Sequence, residues 1–188
     1  MAFQFTPVTN IPSLIVIEPK VFGDERGWFA EMYKATDFVA HGIDAHFVQI
    51  SHSKSGKIGT IRGLHFQLAP HTQGKLVRCI RGKVHDVAVD IRKGSPSFSK
   101  YAAVELSEEN KKLFWIPPGF AHGFCALTDG AEIEYYQTQE YSPENERSLL
   151  WNDPTVGVVW PTSSPILSPR DSAGVPIDKL DYNFIYSP

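Results

Sequence analysis

The stretch "IRGLHFQL", residues 61–68, is written in strand chemistry but carries an imidazole where another apolar side chain would be usual. Side chains alternate along a strand, so Ile61, Gly63, His65 and Gln67 are expected on one face and Arg62, Leu64 and Phe66 on the other. Gly63 then leaves a gap beside His65, and a glycine inside a strand commonly marks the close approach of a ligand or another backbone. The same alternation sets Lys75 with Val77 and Cys79 in "QGKLVRCI", Tyr135 with Ile133 in "AEIEYYQT", and His122 with Phe120 and Phe124 in "FAHGFCAL". Each has an ordinary structural explanation: a bonded core histidine, a lysine snorkelling to water, a core tyrosine with a bonded hydroxyl. Sharing one interior, they are harder to explain as independent accidents, because a cation among core residues is costly unless paired or used. Such a set can move protons or, through its two histidines, bind a metal.

The elements that must hold these groups are short β-rich runs punctuated by Gly, Pro and Asn: residues 14–17, 28–33, 46–51, 59–68, 75–80, 83–91, 102–106, 113–116, 121–127 and 131–137. That density predicts an all-β antiparallel sandwich or barrel. Helix signals are few. Residues 36–41 suggest a turn or two, and Ser107 to Lys111 suggests another, with Ser107 as N-cap and acidic residues in its first turn. Beyond about Tyr141 the chain is rich in Pro, Asp and Ser yet keeps Leu149, Leu150, Trp151, Val158, Val159 and Trp160, so this tail is expected to pack on the barrel. One domain over residues 1–188 is expected, with N-terminal strands to about residue 50, a core barrel over about 51–140 and the packing tail over about 141–188.

Composition narrows the partners. The 188 residues are 42% hydrophobic, and 18 basic against 21 acidic side chains give a net charge of −3, so no global field draws the chain to nucleic acid or an anionic membrane. No apolar stretch approaches the roughly 20 residues of a membrane span, and the first thirty residues lack a secretory pattern. Cys79 and Cys125 sit in apolar runs without zinc or disulfide spacing. A cytoplasmic protein with reduced core cysteines is expected.

Small β-barrels of the cupin kind often bind a metal through two histidines and a carboxylate on one strand pair and a third histidine after a Pro-x-Gly-x-x-His turn. Pro117, Gly119 and His122 fit the turn. The other half fails: the position two after His65 holds Gln67, and no carboxylate falls at the next ligand spacing, Pro70 to Gln73. Two histidines and an amide are a weak set for zinc or iron, so no metal and no cofactor are expected.

The segments "VFGDERGWFAE", "FVQISHSKS", "IRGLHFQ", "QGKLVRCIRGKVHDVAVDIRKGSPSF", "LFWIPPGFAHGF" and "WNDPTVGVVWP" resemble dTDP-4-dehydrorhamnose 3,5-epimerases over nearly the whole chain. The resemblance implies a metal-free, cupin-type jelly roll, a homodimer with exchanged N-terminal strands from Leu14 to Tyr33, and a dTDP-linked 4-keto-6-deoxy sugar as substrate. It implies His65 as base, Asp171 as its orienting carboxylate, Lys75 as the enolate-stabilising cation and Tyr135 as the acid. Phe22, Arg26 and Glu31 are expected near the thymidine, Gln49 and Arg62 toward the ribose and diphosphate, with Ser51 and His122 also facing the substrate. Alternation turns Arg62 away from His65, which leaves a twist, a bulge or an approach around an edge open. The chain departs from the family pattern at Ile50-Ser51, where many members read Asp-Asn, and at Arg170, where many have Lys. A relative acting at one carbon would carry the same His, Lys and Asp, and a non-catalytic sugar-nucleotide-binding cupin is the reading of another class.

Overall fold

Residues 2–187 are described by a computed structural model. The strands are β1 (Phe3–Val8), β2 (Ile11–Pro19), β3 (Val21–Asp24), β4 (Gly27–Ala30), β5 (Gln49–Ser55), β6 (Ile61–Gln67), β7 (Lys75–Arg81), β8 (Lys83–Asp90), β9 (Tyr101–Ser107), β10 (Leu113–Ile116), β11 (Phe120–Ala126), β12 (Ala131–Gln137) and β13 (Glu146–Ser148). Two short helices, α1 (Ala35–Ala40) and α2 (Pro169–Ser172), complete the set with a 3-10 turn at Ile177–Lys179. Strands of order β1-β2-β10-β7-β12-β5 form one sheet and β13-β6-β11-β8-β9 the other, all antiparallel. This is the expected jelly-roll sandwich.

Three apolar layers follow from strand alternation. Between the sheets, Leu14, Val77, Cys79, Phe114 and Ile133 of the larger sheet meet Val84, Ala88, Leu106, Phe120 and Phe124 of the smaller one. The outer face of the smaller sheet offers Leu64, Phe66, Val87, Val89 and Ala121, and the tail covers it with Leu149, Val156, Ile177 and Leu180. The outer face of the larger sheet presents Ile17, Leu76, Leu113 and Trp115 to Phe38 of α1 and to Ile43. The tail is therefore a structural layer, as its apolar residues predicted.

Several expectations need correction. Ser107 to Lys111 is a tight turn and no helix: the Asn110 amide donates to Ser107 Oγ at 3.0 Å, the Ser107 amide donates to Asn110 Oδ1 at 3.0 Å, and Lys111 has φ +53°. Local side-chain bonds thus win over helix formation. The run at 46–51 enters its strand only at Gln49 and continues to Ser55, and the run at 28–33 leaves strand geometry after Ala30. β1, β3 and β13 had no counterpart among the expected runs. β1 contains Pro7, tolerated because it is an edge strand whose register shifts at that point.

β6 does not alternate without interruption. His65 pairs with His122 but Arg62 pairs with Phe124, so three steps on β6 oppose two on β11. This bulge reverses parity and puts Arg62 and His65 on the same inward side, resolving the open question about Arg62. Gly63 permits it: its φ is +121°, and a Cβ there would lie 2.6 Å from Gly123 Cα and 2.7 Å from the His122 carbonyl oxygen. The glycine serves the approach of a second backbone and leaves no gap for a ligand.

Candidate active site

The inward residues at one end of the sandwich enclose a cavity of about 300 Å³ lined by Ser51, Ser53, Arg62, His65, Lys75, His122, Tyr135, Glu146, Arg170 and Asp171 among others. His65 and His122 come from the smaller sheet, Lys75 and Tyr135 from the larger, and Asp171 from the tail. The four groups read from alternation do share one interior.

Asp171 arrives through local chemistry. Ser168 caps α2, with Pro169 following, and the Asp171 amide donates to Ser168 Oγ at 3.1 Å. The carboxylate accepts from Ser168 Oγ at 2.7 Å, from the Gly63 amide at 3.2 Å and from His65 Nε2 at 2.7 Å. Because a carboxylate accepts only, this last bond fixes the proton on Nε2 and leaves Nδ1 as the basic nitrogen. The His65 side chain is 24% exposed and Asp171 only 7%, so the imidazole is reachable from the cavity and the carboxylate is not.

The electrostatics suit proton transfer. Burial pulls His65 below the ordinary histidine range, only partly offset by its bond to Asp171, so the imidazole is neutral at neutral pH. Burial alone would raise Asp171, but the His65 and Ser168 bonds outweigh it and hold the carboxyl at about 2. Lys75 is drawn down to about 8 by burial, against the pull of Glu146 and Asp86, and its Nζ donates to the His65 carbonyl oxygen at 3.4 Å. Burial pushes the Tyr135 phenol well above its usual range, so it keeps its proton.

Alternation in "KVHDVAVD" turns Asp86 inward with Val84 and Ala88, a signal that would have found a residue the sequence reading passed over. Asp86 is fully buried and accepts from His122 Nε2 at 2.9 Å, a second His and Asp pair beside the first. The His122 ring lies edge-on to Tyr135, centroids 6.1 Å apart. At the rim, Arg170 forms an ion pair with Glu146, whose other oxygen accepts from the Tyr141 hydroxyl at 2.6 Å. Gln49 donates to Ser51 Oγ at 3.0 Å and to Gln137 Oε1 at 3.2 Å, while Ile50 points outward, 63% exposed. Gln67 spends its amide on loop backbone, donating to the His71 carbonyl at 2.7 Å and accepting from the Ser142 amide at 2.7 Å. Among the described residues no group of three His, Cys, Asp or Glu is placed to hold a metal ion.

Phe22, Arg26 and Glu31 are not brought to this cavity. The hairpin β3–β4 pairs with neither large sheet, and Phe22, Arg26, Trp28 and Phe29 line a separate hollow on it. Arg26 pairs with Asp24, its Nε 3.2 Å from Oδ2.

A β-sandwich that gathers a His and Asp pair, a cation and a phenol around one cavity defines a proton-transfer type of site. A family model described as dTDP-4-dehydrorhamnose 3,5-epimerase matches residues 8–179. The chain is 53% identical over 175 residues to the dTDP-4-dehydrorhamnose 3,5-epimerase of Shigella flexneri, covering 93% of this chain and 96% of that one. It is likewise 53% identical over 173 residues to that of Salmonella typhimurium, covering 91% and 94%. A crystal structure of dTDP-6-deoxy-D-glucose-3,5-epimerase from Legionella pneumophila, in complex with dTDP-4-keto-L-rhamnose, superimposes with a TM-score of 0.91 at 45% identity over 95% of each chain. The chain belongs to the dTDP-4-dehydrorhamnose 3,5-epimerase family.

Proposed function

We propose that the protein epimerises C3 and C5 of dTDP-4-dehydro-6-deoxy-D-glucose, giving dTDP-4-dehydro-L-rhamnose on the route to dTDP-L-rhamnose. Hydrogens on carbons beside a ketone are weakly acidic, and removing one builds an enolate. The reaction therefore needs a base, a cation at the developing oxyanion and an acid on the opposite face. His65 removes the proton through Nδ1, and Asp171 stabilises the imidazolium. Lys75 holds the enolate oxygen, and Tyr135 delivers a proton to the other face of the carbon, inverting it. A second round at the other carbon completes the conversion. The observation that carries this reading is the 2.7 Å bond joining His65 to a carboxylate from the distant tail, at a cavity that Lys75 and Tyr135 also line.

Arg62, on the cavity side because of the bulge, is offered to the diphosphate, with Gln49, Ser51 and His122 as further substrate contacts. The hairpin β3–β4 supplies Phe22 and Arg26, with Glu31 just beyond it, to the thymidine of a second copy of the chain in a homodimer. Its apolar exposure supports this: Phe22 is 51%, Trp28 61% and Phe29 65% exposed. Within one chain β2 pairs with β10, and the exchange is assigned to the hairpin β3–β4. The test is product formation from dTDP-4-dehydro-6-deoxy-D-glucose: His65→Asn is expected to lower it about 10³-fold with the fold intact by circular dichroism. Turnover near the wild-type rate in that folded variant would remove His65 as the base.

A further inference from the structure

β5 places Ser51, Ser53 and Ser55 at alternate positions on its cavity face, and each hydroxyl serves a different group. Ser51 donates to Gln137 Oε1 at 2.9 Å, Ser55 Oγ accepts from Arg62 Nε at 3.3 Å, and Ser53 Oγ lies 2.9 Å from the Tyr135 hydroxyl. Among the described residues the Tyr135 hydroxyl has no other hydrogen-bond partner. Ser53 itself lines the cavity and is half-buried, so it touches both the phenol and the space that water enters.

A phenol that must hand its own proton to carbon cannot also donate it to a neighbour, so between these two hydroxyls the serine has to be the donor. That bond fixes where the phenol hydrogen points and stabilises the phenolate as it forms. We infer that Ser53 is the positioning residue of Tyr135, aiming its proton into the cavity and returning a proton to it after each transfer; the inference rests on the epimerase reading above. In the step, the Tyr135 O–H bond breaks as the new C–H bond forms. The Ser53 proton passes to the phenolate oxygen while a cavity water gives a proton to Ser53. The resulting hydroxide takes the proton that His65 removed, which restores all three groups. Burial pushes the Tyr135 phenol up and the Ser53 bond works against that push, in the sense the step requires. Two inversions per substrate make this return a recurring demand.

The experiment follows the full chain and dTDP-4-dehydro-6-deoxy-D-glucose in D2O, reading deuterium at retained and at inverted carbons by NMR. With the acid badly aimed, the enolate is quenched from the His65 side, so label enters without inversion. Ser53→Ala is expected to raise the ratio of labelled, uninverted carbon to inverted carbon about tenfold over wild type, the worth of one hydrogen bond. Ser53→Thr should restore the ratio, and Ser53→Cys, which keeps the volume but donates weakly, should shift it as Ala does. An unchanged ratio in Ser53→Ala and Ser53→Cys, even with a slower overall rate, overturns the inference and leaves the epimerase reading standing. Absence of label and product from the wild-type protein removes both.

Discussion

At the scale of single residues, the site works by separating roles through environment. His65 and Asp171 form one bonded unit, yet burial lowers the imidazole while the bonds from His65 and Ser168 hold the carboxyl at about 2. The imidazole is therefore neutral and the carboxylate charged at neutral pH. In the role proposed for it, Lys75, near 8, must keep its proton to stabilise an enolate oxygen. These signs fix a pH profile for kcat/KM, which reports the free enzyme. Activity falls as the pH drops through the His65 value, below the ordinary histidine range, and falls again as the pH rises through about 8, where Lys75 loses its charge. Lys75→Arg keeps a cation at all accessible pH, so its alkaline limb is expected to move beyond pH 9 even where the geometric mismatch lowers the rate. An alkaline limb unmoved by the substitution would assign it to another group.

At the scale of elements, the bulge in β6 matters most. It turns Arg62 and His65 to the same side, and it exists because Gly63 can adopt a positive φ with Gly123 against it. Gly63→Ala is expected to destabilise the fold by at least about 2 kcal/mol, through backbone strain and overpacking, and to cost activity by displacing both side chains. Urea unfolding checks this, and a midpoint within error of wild type would contradict it. The same element marks where sequence reasoning stops. Uninterrupted alternation placed Lys75, His122 and Tyr135 correctly because β7, β11 and β12 keep their parity across the cavity positions, but parity cannot be carried through an unseen bulge. Asp86 was legible in principle, since it sits among inward apolar residues of β8. Asp171 was reached only through resemblance, because a turn in a Pro-rich tail carries no periodicity that would aim it at a strand. β3 and β13 are four and three residues long, too short to show a pattern.

At the scale of the whole molecule, the chain closes the His65–Asp171 pair by wrapping the tail over the outer face of the smaller sheet, so the last quarter of the sequence belongs to both core and cavity. The hairpin β3–β4 forms a two-stranded sheet apart from the two large ones. In the homodimer proposed above, Arg26→Ala is expected to raise KM about tenfold with kcat within about twofold, because Arg26 binds substrate remote from the reacting carbons. Light scattering is expected to show a dimer, and a fully active monomer would contradict the exchanged hairpin. In the proposed reaction one base and one acid, on opposite sheets of the cavity, invert two carbons. Its most direct measurement is the conversion of dTDP-4-dehydro-6-deoxy-D-glucose in D2O, with product deuterium located by NMR. Deuterium is expected at both C3 and C5, and deuterium at only one of them would rule out epimerisation at two carbons.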